Sequence, residues 1–155
     1  MQIIDYFRAE SPRRWLSRIR RADWSAAGLL AELLEQGRFF ETLGQDSTLL
    51  LLANGDRLAS FCTFARRDEV DDPALTPWAG FCYTFAEYRG RRCLGRLLDH
   101  ACMLAAERGF DSLYLSTDHV GLYEKYGFSF LRADRSMRGG ATRIYVRPVG
   151  GEAAR

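Results

Sequence analysis

The chain has 155 residues, of which 47% are apolar and 27% charged, and its formal net charge at pH 7 is +2. This length and composition predict one globular domain over residues 1–149, followed by a flexible tail at 150–155. The small net charge gives no reason to expect nucleic acid or an anionic membrane as a partner.

The four cysteines form no Cys-x-x-Cys pair, and with only two histidines in the chain no metal site is predicted. Each cysteine lies in an apolar stretch, which is typical of reduced, buried thiols. Near the N-terminus, Asp5, Arg8 and Glu10 interrupt the apolar run that a signal peptide needs. The longest uncharged run, 73–86, is shorter than the ~20 residues of a membrane span. We therefore expect a cytoplasmic protein.

In chain order, the first half predicts a strand, two helices and a β-hairpin. Asn54-Gly55 is the strongest short hairpin signal, and apolar runs of strand length flank it. The predicted elements are a strand over 2–7, a helix starting at Ser11-Pro12, a second helix capped by Ser25 and ended by Gly37, and strands over 48–53 and 58–65.

The second half predicts a charged loop at 66–77 and then alternates strands with helices. Its clearest element is an amphipathic helix whose apolar face includes Leu94, Leu97 and Leu98 and which ends before Gly109. The other predicted elements are strands over 80–85, 113–116, 128–131 and 143–149, and a short helix over 118–126.

The resulting order is β-α-α-β-β-β-α-β-α-β-β. The long helix between two strands predicts a parallel, right-handed unit, whereas the hairpins predict antiparallel pairing. We therefore predict an α/β fold with a mixed, largely antiparallel central sheet of about six or seven strands and about four helices.

The segment FAEYRGRRCLGRLL, residues 85–98, predicts an anion site. An apolar strand leads into a turn containing arginine and glycine, and a helix follows it. Free N–H groups at a helix N-terminus attract phosphate, and the arginines add positive charge at the same place. Ligands of such sheets bind beside the C-terminal ends of parallel strands, which is where this turn is expected.

The runs EYRGRRCLGRLLDHA and GLYEKYGF together resemble the acetyl-CoA-binding core of the GNAT superfamily of N-acetyltransferases. The resemblance implies direct transfer of an acetyl group from acetyl-CoA to a primary amine of a small molecule or peptide. It also implies that Tyr123 is the general acid that protonates the CoA thiolate. The cofactor-binding residues that it implies are Tyr83, Phe85, Arg89, Gly90, Arg91, Arg92, Cys93, Leu94, Gly95 and Arg96.

The turn departs from the family pattern of Arg or Gln, two residues, Gly, one residue, and Gly or Ala. An ungapped match from Arg89 places Arg92 and Leu94 at the two small-residue positions. Either the turn keeps ordinary helical angles and holds phosphate through its amides and arginines, or Gly95 shifts the register by one residue. We favour the first interpretation, because Leu97-Leu98 then matches the usual helix without a gap.

The general base is not identified by the sequence. Glu87, Asp118 and His119 are the nearest candidates. Of these, Asp118 is a weak candidate for the base, and it could instead be a helix N-cap.

The loop DDPALTPWAG could lie near the acceptor. Asp71 and Asp72 could attract a cationic amine and Trp78 could form an apolar wall, although loop acids are usually only solvated.

Two other functions remain open at this stage. A non-catalytic acyl-CoA-binding or sensing domain of the same fold would explain both the phosphate turn and the missing base. A nucleic-acid module using the arginines at 13–21 is disfavoured by the net charge. We also leave a homodimer open.

Overall fold

A computed structural model describes residues 1–150, and its mixed α/β architecture confirms the predicted fold class. One sheet has the strand order β1-β2-β3-β4-β5-β7-β6, and within the described residues β4 and β5 form its parallel pair. The predicted tail lies outside the described residues, apart from Gly150. The strands are β1 (Gln2–Asp5), β2 (Thr48–Asn54), β3 (Arg57–Ala65), β4 (Trp78–Thr84), β5 (Ser112–Thr117), β6 (Ser129–Arg135) and β7 (Ala141–Pro148).

The helices are α1 (Pro12–Ile19), α2 (Ser25–Glu35), α3 (Phe39–Leu43) and α4 (Cys93–Glu107). Helix α1 starts at the proline after Ser11, as predicted, whereas Ser25 is the first residue of α2 and Trp24 occupies the cap position. Helix α3 was not predicted, because five residues are too few to display a helical period. None of the helices formed by residues 1–150 has the length and apolar character needed to cross a bilayer.

The predicted helix over 118–126 is wrong. Only Tyr123–Tyr126 turns, as a short 3-10 helix, and a loop precedes it. Gly121 has φ of 88°, which excludes it from a right-handed helix. Asp118 is therefore not a helix cap.

The sheet separates two apolar layers. In β2, Leu50 and Leu52 face α4, whereas Leu49 and Leu51 face α1 and α2. Successive side chains of a strand point to opposite faces, so the continuous apolar run TLLLLA is what a strand buried on both sides requires. We call these two sides of the sheet the α4 face and the α1–α2 face.

The parallel strands β4 and β5 separate before they end. They pair at Trp78 with Tyr114 and at Ala79 with Leu115; beyond these rungs β4 pairs only with β3, and β5 only with β7, among the described strands. Residues 78–80 are buried but residues 81–84 are half-buried, although β4 is a central strand. We call this gap, between residues 80–84 and 116–117, the β4–β5 opening.

A bulge lies at the start of the opening. Between the pairs Phe61–Tyr83 and Thr63–Gly80, two residues of β4 oppose one residue of β3. Phe81, in the bulge, has φ of 47°. A bulge bends and twists its strand, so it helps to turn β4 away from β5.

Candidate active site

The arginine turn follows β4 and places two residues in the left-handed region. Gly90 has φ of 80°, and Arg92, immediately before α4, has φ of 58° and ψ of 27°. The expectation of ordinary helical angles is therefore wrong at Arg92. The arginine adopts a conformation in which glycine is normally favoured, at a cost of about 1–2 kcal/mol.

The first amides of α4 remain available to a ligand. The Arg96 N–H donates to the Arg92 carbonyl at 3.2 Å, which makes it the first amide of the helix with an intrahelical bond. The amides of Cys93, Leu94 and Gly95 precede that bond, and the Arg92 side chain does not cap them. Unsatisfied N–H groups and the positive end of the helix dipole together suit an anion.

Three arginines of the turn, Arg89 among them, lie over tyrosine rings. The Arg91 guanidinium is 5.7 Å from the ring centre of Tyr88, and that of Arg92 is 5.6 Å from the ring centre of Tyr126. These contacts orient the planar groups but leave N–H donors free for phosphate oxygens.

Two arginines of the turn bond to the protein backbone. The Arg89 Nε donates to the Thr84 carbonyl at 3.0 Å, and an Arg96 Nη donates to the Met1 carbonyl at 3.1 Å. Among the ion pairs of the described residues, none involves an arginine of this turn. No carboxylate within residues 1–150 therefore neutralises their charge, which remains available to an anion.

Tyr123 lies on the α4 face, in the same apolar cluster as Cys82 of β4. Its side chain is buried, and its ring packs edge-on against Phe128 at 6.3 Å between centres. Burial raises the pKa of the Tyr123 phenol far above its ordinary value, and the neighbouring Cys82 thiol raises it further. The phenol is therefore neutral and lies in an apolar setting.

The side chains of the remaining predicted residues of the turn and strand pack within the protein. Tyr83 points to the α1–α2 face, where it stacks on Trp24 at 5.7 Å and its hydroxyl accepts from the Asp23 N–H at 3.3 Å. Phe85 packs against the apolar clusters of both faces. Cys93 is buried, and its thiol donates to the Tyr88 carbonyl at 3.6 Å. Tyr83 and Cys93 thus offer a ligand mainly their backbone groups.

Gly95 is a packing position within α4. A Cβ on it would lie 2.9 Å from Cε1 of Tyr126, so the helix start and the 3-10 helix approach each other closely there. This contact explains a glycine at position 95 without any shift in the register of the turn.

Gly95→Ala should therefore destabilise the protein by about 1–2 kcal/mol, because overpacking outweighs the better helix propensity of alanine. Gly28 of α2 is the matched control, since it is exposed and a Cβ there meets nothing within 4 Å. Gly28→Ala should stabilise by about 0.5–1 kcal/mol. Urea unfolding measures both changes, and the same sign for the two variants would contradict the prediction.

The predicted acceptor wall is corrected by the structure. Trp78 is 1% exposed and packs with Val70 and Ile144 in the core, so it cannot line an accessible channel. Asp72 is already paired with Arg132 at 2.7 Å, and the Arg132 guanidinium lowers the pKa of its carboxyl. Asp71 is exposed on the same loop.

Asp118 is also exposed, in the loop after β5.

A carboxyl that the sequence did not single out lies at the β4–β5 opening. Asp68 belongs to the loop between β3 and β4, and its Oδ1 is 2.2 Å from the point where a Cβ on Gly80 would lie. Part of the residue reaches solvent, but its carboxyl lies inside against the strand. Burial raises the pKa of this carboxyl to about 7.

Thr63, on β3, faces the same point. Its Oγ1 is 3.0 Å from the Cβ position of Gly80. It is the buried side-chain polar atom without a hydrogen-bond partner in the described part of the chain. A buried unsatisfied hydroxyl costs about 1–3 kcal/mol, so its presence calls for a reason.

A separate cavity of about 710 Å³ lies between α3 and the end of β3. Of the two arginines that line it, Arg66 is paired with Asp46 at 2.6 Å. The cavity is distinct from the β4–β5 opening.

Together these features define a mixed α/β domain whose sheet opens between two parallel strands, with an arginine turn and an uncapped helix start following β4. The model of the Acetyltransferase (GNAT) family matches residues 9–128. The chain therefore belongs to the GNAT acetyltransferase family.

Solved structures of similar fold include several acetyltransferases. An aminoglycoside 6'-acetyltransferase type Ii superposes with a TM-score of 0.72 at 16% identity, covering 96% of this chain and 97% of that one. An aminoglycoside 6'-N-acetyltransferase complexed with coenzyme A has a TM-score of 0.66 at 14% identity, with the same coverage. A GNAT acetyltransferase from Elizabethkingia anophelis with acetyl-CoA bound has a TM-score of 0.57 at 12% identity and covers 71% of this chain and 81% of that one. No curated protein matches the sequence.

Proposed function

We propose that this protein is an N-acetyltransferase that transfers the acetyl group of acetyl-CoA directly to a primary amine of a small molecule or peptide. The observation that carries the proposal is the β4–β5 opening, which has free helix amides at its mouth and the Tyr123 phenol on its α4 face. Family membership and the neighbours that bind CoA or acetyl-CoA support the same donor.

The turn and β4 would share the binding of acetyl-CoA, which supplies an activated thioester. The amides of residues 93–95, with Arg91 and Arg92, suit its phosphates. Residues 81–84 of β4 have no strand partner on the side of the opening, so their backbone groups can hydrogen-bond an extended chain. An N–H of this segment is also the natural donor to an oxyanion.

Tyr123 would protonate the departing sulfur. A free thiol has a pKa of ~8.5, and an apolar pocket disfavours its thiolate, so a neutral phenol nearby lowers the barrier to C–S cleavage. The burial that keeps the Tyr123 phenol neutral is the same burial that makes an unprotonated thiolate costly.

Tyr123→Phe should lower kcat about a hundredfold and leave the KM for acetyl-CoA nearly unchanged, because the phenol acts on the leaving group. Release of CoA, measured with a thiol reagent over a panel of amines, follows the reaction. The panel includes aminoglycosides, polyamines, amino acids and peptides, and mass spectrometry identifies the amide product.

Tyr114→Phe is the matched control, since Tyr114 packs against Trp78 in the core and should keep wild-type kcat. An unchanged kcat in Tyr123→Phe would remove the proposed role of the phenol. Acetyl-CoA binding without turnover on every amine would instead establish a binding or sensing domain.

A further inference from the structure

An aliphatic amine arrives at the site as a cation, since its ammonium pKa is near 10, and it must lose a proton before it attacks. The carboxyl of Asp68 stands where the opening begins. Gly80 is the first residue of β4 beyond its last rung with β5, and Asp68 packs directly against it.

The loop that carries Asp68 is fixed on both sides of it. The Arg67 N–H donates to the Leu43 carbonyl at 3.1 Å, and the Glu69 carbonyl accepts from the Met137 N–H at 2.7 Å. The Glu69 carboxylate also accepts from Ser116 of β5 at 2.7 Å. Asp68 is therefore held against Gly80 by a loop that is fixed on both sides.

Thr63 provides an independent observation at the same place. The side chain is fully buried, and among residues 1–150 its hydroxyl oxygen has no hydrogen-bond partner, although it faces the same point as the Asp68 carboxyl. A hydroxyl oxygen and a carboxylate that face one point suit a group that has several N–H donors.

We propose that Asp68 and Thr63 form the subsite for the reacting ammonium group of the acceptor, with Asp68 as its proton acceptor and Thr63 Oγ1 accepting a second N–H. The proposal rests on the proposed acetyl transfer and assigns the acceptor to cationic primary amines. It places the acceptor on the α1–α2 face, opposite Tyr123, so the two proton transfers occur on different sides of the sheet.

The surroundings of Asp68 suit this role. Burial raises the pKa of its carboxyl to about 7, the Glu69 N–H opposes this rise by hydrogen bonding, and the Glu69 charge adds to it. The groups that face it from β3 and β4 are Thr63 and Gly80, neither of which titrates. Above pH 7 the carboxylate is ionised and ready to accept a proton, yet its basicity exceeds that of an ordinary aspartate.

The acceptor nitrogen loses two protons during the transfer, and the sulfur gains one. The ammonium gives one proton to the Asp68 carboxylate, and the neutral nitrogen then forms a C–N bond to the acetyl carbon. As the C–S bond breaks, the sulfur takes the Tyr123 proton. The second proton lost by the nitrogen leaves to water, and the Tyr123 phenolate regains a proton from water on its own side of the sheet. Asp68 then releases its proton to water. The products are the amide, free CoA and one proton.

The decisive experiment compares Asp68→Asn with the wild type on two amines of similar shape, one with an ammonium pKa near 10 and a fluorinated analogue whose ammonium pKa lies below 7. At pH 7.5 the variant should lose about a hundredfold in kcat/KM for the first amine and less than about threefold for the second, which needs no base. Its kcat/KM for the first amine should keep rising with pH, whereas that of the wild type levels off above about pH 7.

Two further variants complete the experiment. Thr63→Val should raise the KM for the amine about tenfold and leave the KM for acetyl-CoA unchanged. Asp111→Asn, at an exposed aspartate outside the opening, should behave as wild type.

Each outcome decides the proposal. Equal losses on both amines, or an unchanged pH profile in Asp68→Asn, would overturn the role of Asp68 while acetyl transfer stands. An unchanged KM in Thr63→Val would overturn that part of the subsite. Absence of turnover by the wild type on every amine would overturn the proposed function, and this proposal with it.

Discussion

The free energy of unfolding is expected to fall by roughly 2 kcal/mol between pH 5 and pH 8 because of Asp68. Its carboxyl has a pKa of about 7 in the folded protein, since burial disfavours the charged form, against about 3.9 in an unfolded chain. The folded state therefore holds this proton more tightly. The contribution of Asp68 to stability is complete below about pH 4 and is lost as the pH rises through 7.

Chemical denaturation of wild type and Asp68→Asn at several pH values between 5 and 8 measures this effect. The difference between the two unfolding free energies should change by roughly 2 kcal/mol, because the wild type becomes less stable relative to Asp68→Asn as the pH rises. Asp111→Asn should follow the wild-type curve. Parallel curves for wild type and Asp68→Asn would show that the folded carboxyl titrates like that of an ordinary aspartate.

Gly80→Ala should lower kcat/KM for a cationic amine about a hundredfold without removing any functional group. The new Cβ would lie 2.2 Å from Oδ1 of Asp68, which is far inside van der Waals contact. Because the carboxyl is the end of a side chain, it can swing away from the strand, and the proton acceptor then leaves the opening.

The same variant has a second readout. Once displaced toward water, the Asp68 carboxyl should regain an ordinary pKa, so the loss of stability between pH 5 and pH 8 should largely disappear. Gly28→Ala controls for the general effect of replacing glycine. A wild-type rate together with a wild-type pH profile in Gly80→Ala would contradict the placement of Asp68.

Much of the fold was predictable because its signals are local. The Asn54-Gly55 turn between apolar runs defined the hairpin, and the apolar face of α4 defined the longest helix. The parallel pair followed from the helix between two strands. The family motif located the turn and Tyr123 in the same way, through residues close together in the chain.

The features that the sequence did not reveal depend on contacts between distant residues. The sequence suggests that Trp78 belongs to a loop, but its pairing with Tyr114 across β4 and β5 places it in the core. Asp68 stands in a charged loop where acids are usually solvated, and only the approach to Gly80 distinguishes it. One signal was present, since a glycine inside an aromatic strand often marks close approach of another group.

The left-handed Arg92 bears on how such turns are found and varied. A sequence search that requires glycine at position 92 would miss this chain. A structure search that requires a positive φ at the residue before the helix would find it. In a saturation library, position 92 should accept glycine and asparagine and reject valine, isoleucine and threonine, whose branched side chains resist that conformation. At position 92 the requirement is therefore a positive φ, and more than one amino acid can meet it.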